Sequence, residues 1–243
     1  PLPVEPRHRR HDSRDTQPMT QRVGVVRFPG TNCEFDTVDA LNALGGHAEV
    51  LWHSDTDLGG VDAVVIPGGF AHGDYLRCGA IAQFSPIMKV ITTFARDGGP
   101  VLGICNGFQV LTEAGILPGV LQKNAGLKFL CCMQQIEFMS TSNIVGTGAS
   151  TGDLLNIPIN HFEGNYVCSE RTLKQLEEQN RIVFRYMDNP NGSMGNIAGI
   201  SNEDGNVVGM MPHPERATST MLGSDDGTPL LRSLLNAGPV AAS

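Results

Sequence analysis

Residues 100–109 read Pro-Val-Leu-Gly-Ile-Cys-Asn-Gly-Phe-Gln, and this stretch decides the predicted fold. Its first half is a short apolar run typical of a buried strand, and residues 106–114 have the composition of a helix. Glycines two positions either side of Cys105 allow a sharp turn at the junction. A buried strand leading directly into a helix is typical of a parallel sheet with helices on both faces.

The chain before this junction repeats the same alternation of strand and helix. Apolar runs predict strands at 23–28, 48–52 and 62–66, and helices are predicted over 31–44 and 81–96. Thr31 and Glu34 have the spacing of a capping box at the start of the first helix. Pro86 is predicted to split or kink the second helix, because proline cannot donate an interior helical hydrogen bond.

The second half of the chain is less regular. The patterns predict one or two strands in 128–140, a loop at 146–152, a polar helix at 170–179, a hairpin formed by 197–201 and 207–211, and a last helix at 229–236. We therefore predict an α/β fold, a flavodoxin-like, doubly wound and mostly parallel sheet with an added β-ribbon. Residues 1–18 are polar and aperiodic, and we interpret them as a disordered leader or an expression remnant before one domain spanning 19–243.

Composition excludes several classes of function. A net charge of −8 argues against binding to nucleic acid, which needs an excess of lysine and arginine. No apolar run approaches the roughly 18 residues of a membrane helix. The six cysteines are irregularly spaced and form no C-x-x-C pair, so neither a disulfide framework nor a zinc site is expected. A cytoplasmic enzyme with reduced thiols and no metal is the simplest interpretation.

Cys105 is the candidate nucleophile. Gly-x-Cys-x-Gly between a strand and a helix is the thiol form of a nucleophile elbow, in which small neighbours tolerate a strained backbone at the reacting residue. The positive end of the following helix favours a thiolate there. A buried structural cysteine explains the same five residues, so the assignment depends on finding a base.

His213 is the candidate base, and Glu215 is the candidate residue that orients it. Pro214 restricts His213 to extended geometry, in which residues two apart point the same way. A carboxylate beside an imidazole fixes its tautomer and leaves the other ring nitrogen for the thiol. The alternative is a surface proline-rich loop.

Two other histidines remain alternative bases. His72 has no carboxylate two residues away, whereas His161 is followed by Glu163 and is the real competitor. The spacing of residues alone leaves this choice open.

Glycines after the strand at 62–66 predict an oxyanion hole. We assign the backbone N–H groups of Gly69 and Asn106 as its donors, because glycine lets the backbone face a ligand. An ordinary glycine turn is the alternative. Gln109 lies one helical turn beyond Cys105 on nearly the same face, where it could contact a substrate amide or pack beneath the elbow.

Several motifs together resemble the class I, or triad, glutamine amidotransferases. They occupy residues 103–109, 212–215, 28–33, 67–77 and 80–88. The last three are most similar to the subfamily of glutaminase subunits of phosphoribosylformylglycinamidine synthase. The resemblance extends from about Arg22 to the C-terminus and implies Cys105, His213 and Glu215 as the triad.

The resemblance implies a subunit that hydrolyses glutamine to glutamate through a cysteine thioester. Its ammonia would pass to an ATP-dependent synthetase subunit, usually accompanied by a small third subunit, for the conversion of formylglycinamide ribonucleotide to formylglycinamidine ribonucleotide in purine biosynthesis. ATP and Mg²⁺ would bind the synthetase, with no cofactor in this chain. Phe70, Gln109, His161 and Phe162 are the expected substrate contacts.

The sequence departs from this subfamily in two places. The family usually has His-Gly-Glu-Gly where this chain has residues 161–164, so we expect the bulky Phe162 to alter the pocket or subunit docking. The stretch from Cys132 to Ser150 is also unusual. A different cysteine hydrolase or peptidase on the same fold is the alternative function. A nucleotide-binding module has less support, because neither G-x-x-x-x-G-K-[ST] nor G-x-G-x-x-G occurs.

Overall fold

The computed structural model describes residues 21–240, and the predicted leader at 1–18 lies outside this range. The strands are β1 (Arg22–Arg27), β2 (His47–Trp52), β3 (Ala63–Ile66), β4 (Val101–Ile104), β5 (Val120–Lys123), β6 (Leu130–Phe138), β7 (Leu154–His161), β8 (Glu163–Val167), β9 (Ile182–Tyr186), β10 (Ile197–Ser201) and β11 (Val207–Met210). The α-helices are α1 (Glu34–Ala43), α2 (Pro86–Arg96), α3 (Asn106–Glu113), α4 (Glu170–Glu178) and α5 (Thr228–Leu235).

Nine strands form one mixed sheet in the order β2-β1-β3-β4-β11-β10-β9-β6-β7. The first five are parallel to one another, and from β11 onward every pairing is antiparallel. Strands β5 and β8 form a separate antiparallel pair. The predicted flavodoxin-like α/β fold is confirmed, and the antiparallel part is longer than one added ribbon.

Strands β3, β4 and β11 are buried at every residue, as expected for parallel strands covered on both faces. Their carboxyl ends meet at one edge of the sheet. In open α/β sheets this edge is where ligands bind. The chain connections that leave these three strands therefore position the candidate site.

The first predicted helix begins later than expected, and its capping box is wrong. Helix α1 begins at Glu34, so this residue is in the first helical position and cannot fold back as a box requires. Its carboxylate instead pairs with Arg27 at 2.8 Å. Thr31 Oγ1 accepts from the Phe28 N–H at 3.0 Å, which closes the turn after β1.

The second predicted helix is split at Pro86, as the sequence suggested. A short 3₁₀ turn at Ala82–Phe84 precedes it, and α2 then begins at Pro86 itself. Proline is favoured at this first position because its missing N–H would have no helical partner there.

Four strands were absent from the sequence prediction, namely β5, β7, β8 and β9. Strand β7 contains Pro158, which argues against a central strand. It is tolerated because β7 is the last strand of the sheet and pairs only with β6. The predicted hairpin of β10 and β11 is confirmed. Within residues 21–240, no helix is long and apolar enough to cross a membrane.

Candidate active site

Cys105 adopts the strained backbone that the elbow pattern predicts. Its φ is 51° and its ψ is −105°, a region that residues with a side chain rarely occupy. The turn has room only for glycine at its flanks, since a Cβ on Gly107 would overlap the carbonyl oxygen of Ile66. The backbone N–H of Cys105 donates to the Met210 carbonyl at 2.7 Å, which fixes the turn against β11.

Asn106, the first residue of α3, connects the elbow to the turn at Ala71–Asp74. Its Oδ1 accepts from the Ala71 N–H at 3.0 Å. Its Nδ2 donates to Asp74 at 3.1 Å and to Gln109 Oε1 at 2.7 Å. Because Asn106 is buried, this network holds the two connections in one arrangement.

His213 and Glu215 form a buried pair. The imidazole Nδ1 lies 2.6 Å from the Glu215 Oε1, and both residues are at most 3% exposed. Burial lowers the pKa of His213, but the Glu215 carboxylate and the Cys105 thiol raise it by more, so the net pKa is well above its usual value. The pair is therefore suited to hold a proton on the imidazole.

The backbone around His213 explains how two residues so close in sequence meet. His213 itself is in a non-helical conformation, and its N–H donates to the Pro158 carbonyl at 2.9 Å. A 3₁₀ turn then begins at Pro214 and includes Glu215. The prediction assumed an extended segment through both residues, and the turn produces the same contact by bending the chain.

Seven of the nine predicted site residues line one cavity of about 230 Å³, and the other two, Asn106 and Glu215, contact residues of its wall. It is lined by Cys105, His213, Gly69, Phe70, Gln109, His161 and Phe162. The Cys105 Sγ is 3.7 Å from the carbonyl oxygen of Asn160. Nε2 of His213 has no hydrogen-bond partner among residues 21–240, which leaves it available to the thiol.

The two predicted oxyanion donors are unpaired in the part of the chain that is described. Neither the Gly69 nor the Asn106 backbone N–H donates to a described group. A Cβ at Gly69 would lie 2.7 Å from the Thr31 Cα, and its φ of 149° also favours glycine. The close approach of two chain segments therefore requires glycine at this position.

Gln109 is held by the protein on both sides of its amide. Its Oε1 accepts from Asn106, and its Nε2 donates to the backbone carbonyl of Glu163. It is 4% exposed, although it lines the cavity. Its contribution to positioning the cavity wall is thus visible, whereas its contact with substrate stays a prediction.

The alternative bases are placed differently from His213. The partner of His161 is Asn124, at 3.1 Å between Nδ1 and Oδ1, and no hydrogen bond joins it to Glu163 within the described chain. Burial, and then the nearby His213, lower the pKa of His161 to about 4. His72 is not in the cavity wall, and its Nε2 lies 3.3 Å from Ser85 Oγ.

Cavity residues that the sequence reasoning missed include Cys33, Asp74, Cys78 and Asn160. Burial raises the pKa of Asp74, as does Glu163, while hydrogen bonds from Cys78 and Asn106 oppose the shift. No local pattern marks Asp74, which adopts a φ of 52° in an irregular turn. Asn160 contacts the Cys105 sulfur through its backbone carbonyl, so the residue type at this position could not predict the contact.

Cys33 lies close to the His213–Glu215 pair. One donor atom from each of these three residues lies within 4.8 Å of the others, a geometry that could hold a metal ion. The Arg216 guanidinium donates to the Cys33 Sγ at 3.3 Å. The Cys33 thiol therefore already has a cationic partner beside the pair.

Comparison with a family model matches residues 20–226 to the CobB/CobQ-like glutamine amidotransferase domain. Two curated relatives are the phosphoribosylformylglycinamidine synthase subunits PurQ of Rubrobacter xylanophilus and Helicobacter hepaticus. They are 51% and 54% identical over 214 and 215 residues, which is 88% of this chain and 97% of each relative.

Solved structures agree with this similarity. A chain in the structure of PurLQS from Thermotoga maritima matches with a TM-score of 0.83 and 38% identity, over 90% of this chain and 99% of that one. A putative GMP synthase protein from Thermoplasma acidophilum matches with a TM-score of 0.60 over 89% of this chain and 93% of that one. At 15% identity, the second match shows the fold alone.

Proposed function

The chain belongs to the CobB/CobQ-like glutamine amidotransferase family, and from that premise we propose that it is the glutaminase subunit of a phosphoribosylformylglycinamidine synthase. The observation that carries the chemical part of the proposal is the cavity lined by both Cys105 and His213, with the buried Glu215 paired to the imidazole. Such an arrangement supports nucleophilic attack by a thiol on an amide.

The first step forms a carbon–sulfur bond. The Cys105 thiol gives its proton to Nε2 of His213 and its sulfur attacks the carboxamide carbon of glutamine, whose carbonyl oxygen becomes an oxyanion. Glu215 stabilises the imidazolium through Nδ1, 2.6 Å away. The unpaired N–H groups of Gly69 and Asn106 are the proposed donors to the oxyanion.

The next steps release ammonia and then glutamate. The imidazolium of His213 returns its proton to the amide nitrogen, the carbon–nitrogen bond breaks, and ammonia leaves a thioester on Cys105. Water then attacks the thioester while His213 takes a proton from it. The carbon–sulfur bond breaks and His213 returns the proton to the sulfur, which gives glutamate and the free thiol. The raised pKa of His213 suits a group that holds a proton between these steps.

The charge of the cavity fits an amino-acid substrate. Asp74 and Glu163 line it, and no lysine or arginine of the described residues does so. We therefore expect the α-ammonium group of glutamine to lie near these two carboxylates. The substrate contacts from Phe70, His161 and Phe162 remain part of the proposal, because these side chains line the same wall.

The relatives suggest the setting in which the ammonia is used. The curated relatives are named as subunits of phosphoribosylformylglycinamidine synthase, and the matched Thermotoga maritima chain comes from a structure of PurLQS. We infer that this chain assembles with a synthetase subunit and a small third subunit. ATP and Mg²⁺ would be bound by the synthetase, which would convert formylglycinamide ribonucleotide to formylglycinamidine ribonucleotide in the cytoplasm. We expect weak glutaminase activity without the partner, since uncoupled hydrolysis wastes glutamine.

Labelling by an electrophilic glutamine analogue tests the proposal. The complex is treated with the analogue, and the modified residue is identified by mass spectrometry. We expect modification of Cys105 and loss of ammonia release from glutamine in Cys105→Ala. Cys168→Ala is the matched control, because this half-buried thiol does not line the cavity. Full glutaminase activity in Cys105→Ala would refute the proposal.

A further inference from the structure

His161 is a buried polar group that the steps above do not use as an acid or base. It ends β7 and lines the catalytic cavity with only 3% of its surface exposed. The residue before it, Asn160, has its carbonyl oxygen 3.7 Å from the reacting Cys105 sulfur. His161 is therefore part of the cavity wall, and its neighbour in sequence contacts the thiol.

Asn124 fixes which ring nitrogen of His161 carries the proton. The Asn124 Nδ2 donates to the backbone carbonyls of Lys128 at 2.9 Å and of His161 at 3.0 Å, which uses both amide hydrogens. Its Oδ1 accepts from the Gly164 N–H at 3.2 Å and lies 3.1 Å from the His161 Nδ1. Since an amide oxygen only accepts, the proton must be on Nδ1.

The other ring nitrogen is consequently a bare acceptor. The ring is neutral near pH 7, because burial and His213 lower its pKa to about 4. Nε2 is buried and has no hydrogen-bond partner within residues 21–240. A buried acceptor without a partner is unfavourable, and His161 belongs to the cavity wall, so the partner we expect for Nε2 is a donor on the ligand.

We propose that Nε2 of His161 accepts a hydrogen bond from the carboxamide nitrogen of bound glutamine and so determines selection of glutamine over glutamate. The inference rests on the glutaminase function proposed above. A carboxamide offers N–H donors, whereas the carboxylate of glutamate offers only oxygen lone pairs to the lone pair of Nε2. Asn124 prevents the ring from switching to the tautomer that would donate from Nε2.

The contact also separates substrate from product during turnover. The nitrogen atom that leaves as ammonia still carries N–H bonds, whereas the glutamate formed by hydrolysis has none at that position. His161 therefore has a different task from His213, which moves protons with the help of Glu215. A site built to bind an N–H group rejects analogues that lack one.

Discrimination between substrate and product tests the inference. In the complex with its synthetase and small subunits, the KM for glutamine and the inhibition constant for glutamate are measured for the wild type and for His161→Phe. The KM for glutamine divided by the inhibition constant for glutamate should rise about tenfold in His161→Phe. Loss of one neutral hydrogen bond to glutamine weakens its binding by about this factor. His47→Phe, at an exposed position of β2, is the matched control and should keep the wild-type ratio.

An unchanged ratio in His161→Phe, with glutamine still hydrolysed, would overturn the role of His161 alone. Absence of glutamine hydrolysis by the wild-type complex would overturn both this role and the proposed function. The ratio remains informative when the variant has a lower kcat or less folded protein, because neither change by itself alters the two constants.

Nitrogen NMR supplies a test that needs no change at His161. The full chain carrying Cys105→Ala is labelled with ¹⁵N-histidine, so that glutamine binds without reacting. We expect a free protein with the proton on Nδ1, and an Nε2 resonance that shifts on addition of glutamine but not of glutamate. A proton on Nε2 in the free protein, or an equal response to the two ligands, would overturn the inference.

Discussion

The two halves of the nine-stranded sheet contribute different parts of the same cavity. The parallel half ends in three connections, after β3, β4 and β11, that carry Gly69, Cys105 and His213. The antiparallel half contributes the end of β7 and the segment that follows it, with His161 and Phe162. The proposed reacting groups therefore come from one half, and much of the wall beside them comes from the other.

This difference follows from how the strands are packed. Strands β3, β4 and β11 are buried along their whole length, so the connections after them begin from fixed positions. Strand β7 is at the edge of the sheet and alternates between buried and exposed residues. An edge strand tolerates more change, and the departure from the family's usual sequence at Phe162 lies directly after it. We therefore expect the chemistry to depend mainly on the connections of the parallel half, and substrate selection to depend mainly on the antiparallel half.

If the parallel half carries the chemistry, the largest loss of kcat is expected from a substitution at Glu215. Glu215→Gln should lower kcat by about 10³–10⁴, because the imidazole loses the carboxylate that fixes its tautomer and stabilises its charge. Ammonia release from glutamine by the complex measures the effect. Near wild-type turnover would show that the parallel half does not carry the chemistry. Glu203→Gln, at an exposed carboxylate outside the cavity, is the control.

Gly69→Ala should lower kcat by about 10²–10³, the usual loss when one oxyanion donor is displaced. The added Cβ would meet the backbone of Thr31 and Asn32, so the chain after β3 must shift. Gly126→Ala is a matched control, because a Cβ there meets nothing within 4 Å. Equal turnover in the two variants would exclude Gly69 as a donor.

In the antiparallel half, His161 should make the free energy of unfolding depend on pH. The pKa of His161 is about 4 in the folded chain and about 6.5 when unfolded, so the unfolded chain binds the proton first as pH falls. The free energy of unfolding should lose about 3 kcal/mol between these values. Urea unfolding at pH 7 and pH 4 measures this loss, and it should be smaller in His161→Gln. The same loss in both proteins would contradict the prediction.

Asp74→Asn should raise the KM for glutamine about tenfold through loss of a charged partner for the α-ammonium group. The turn that carries Asp74 follows β3 of the parallel half, and its carboxylate accepts from Asn106 and lines the cavity together with Glu163. Glutamine kinetics of the complex provide the measurement. A fall in kcat at constant KM would instead indicate that Asp74 acts by holding Asn106.

The smallest effect is expected at Arg77, whose guanidinium makes two contacts of 2.6 Å with Glu113. The arginine is 59% exposed, so Arg77→Met should change the free energy of unfolding by less than about 1 kcal/mol. Urea unfolding in low and high salt measures the change. A larger loss would show that this ion pair, and not Asn106 alone, holds the turn onto α3.

Sequence reasoning succeeded where local patterns coincide with the fold. The elbow around Cys105 and the pair at 213 and 215 are both short in sequence, so glycine and proline positions suffice to predict them. The positions of Asp74 and Asn124 depend on contacts between distant segments, such as that of Asn124 with His161. No periodicity encodes those contacts.

The capping box was predicted wrongly for the same reason, because a contact with a distant segment decides the local structure. Thr31 and Glu34 have the correct spacing, but the turn around Gly30 packs against Phe70 and uses Thr31 for its own closure. Tertiary contact thus overrode a local preference. The role of each cavity residue in catalysis stays a prediction until the variants are measured.

The backbone of Cys105 has a consequence for how this chain tolerates mutation. A positive φ at a residue with a side chain is destabilising by about 1–3 kcal/mol, and glycine adopts the same angle without strain. At the position of the proposed nucleophile, a change to glycine would therefore remove the thiol and at the same time relieve backbone strain. Selection for robustness and selection for turnover act in opposite directions on this single residue.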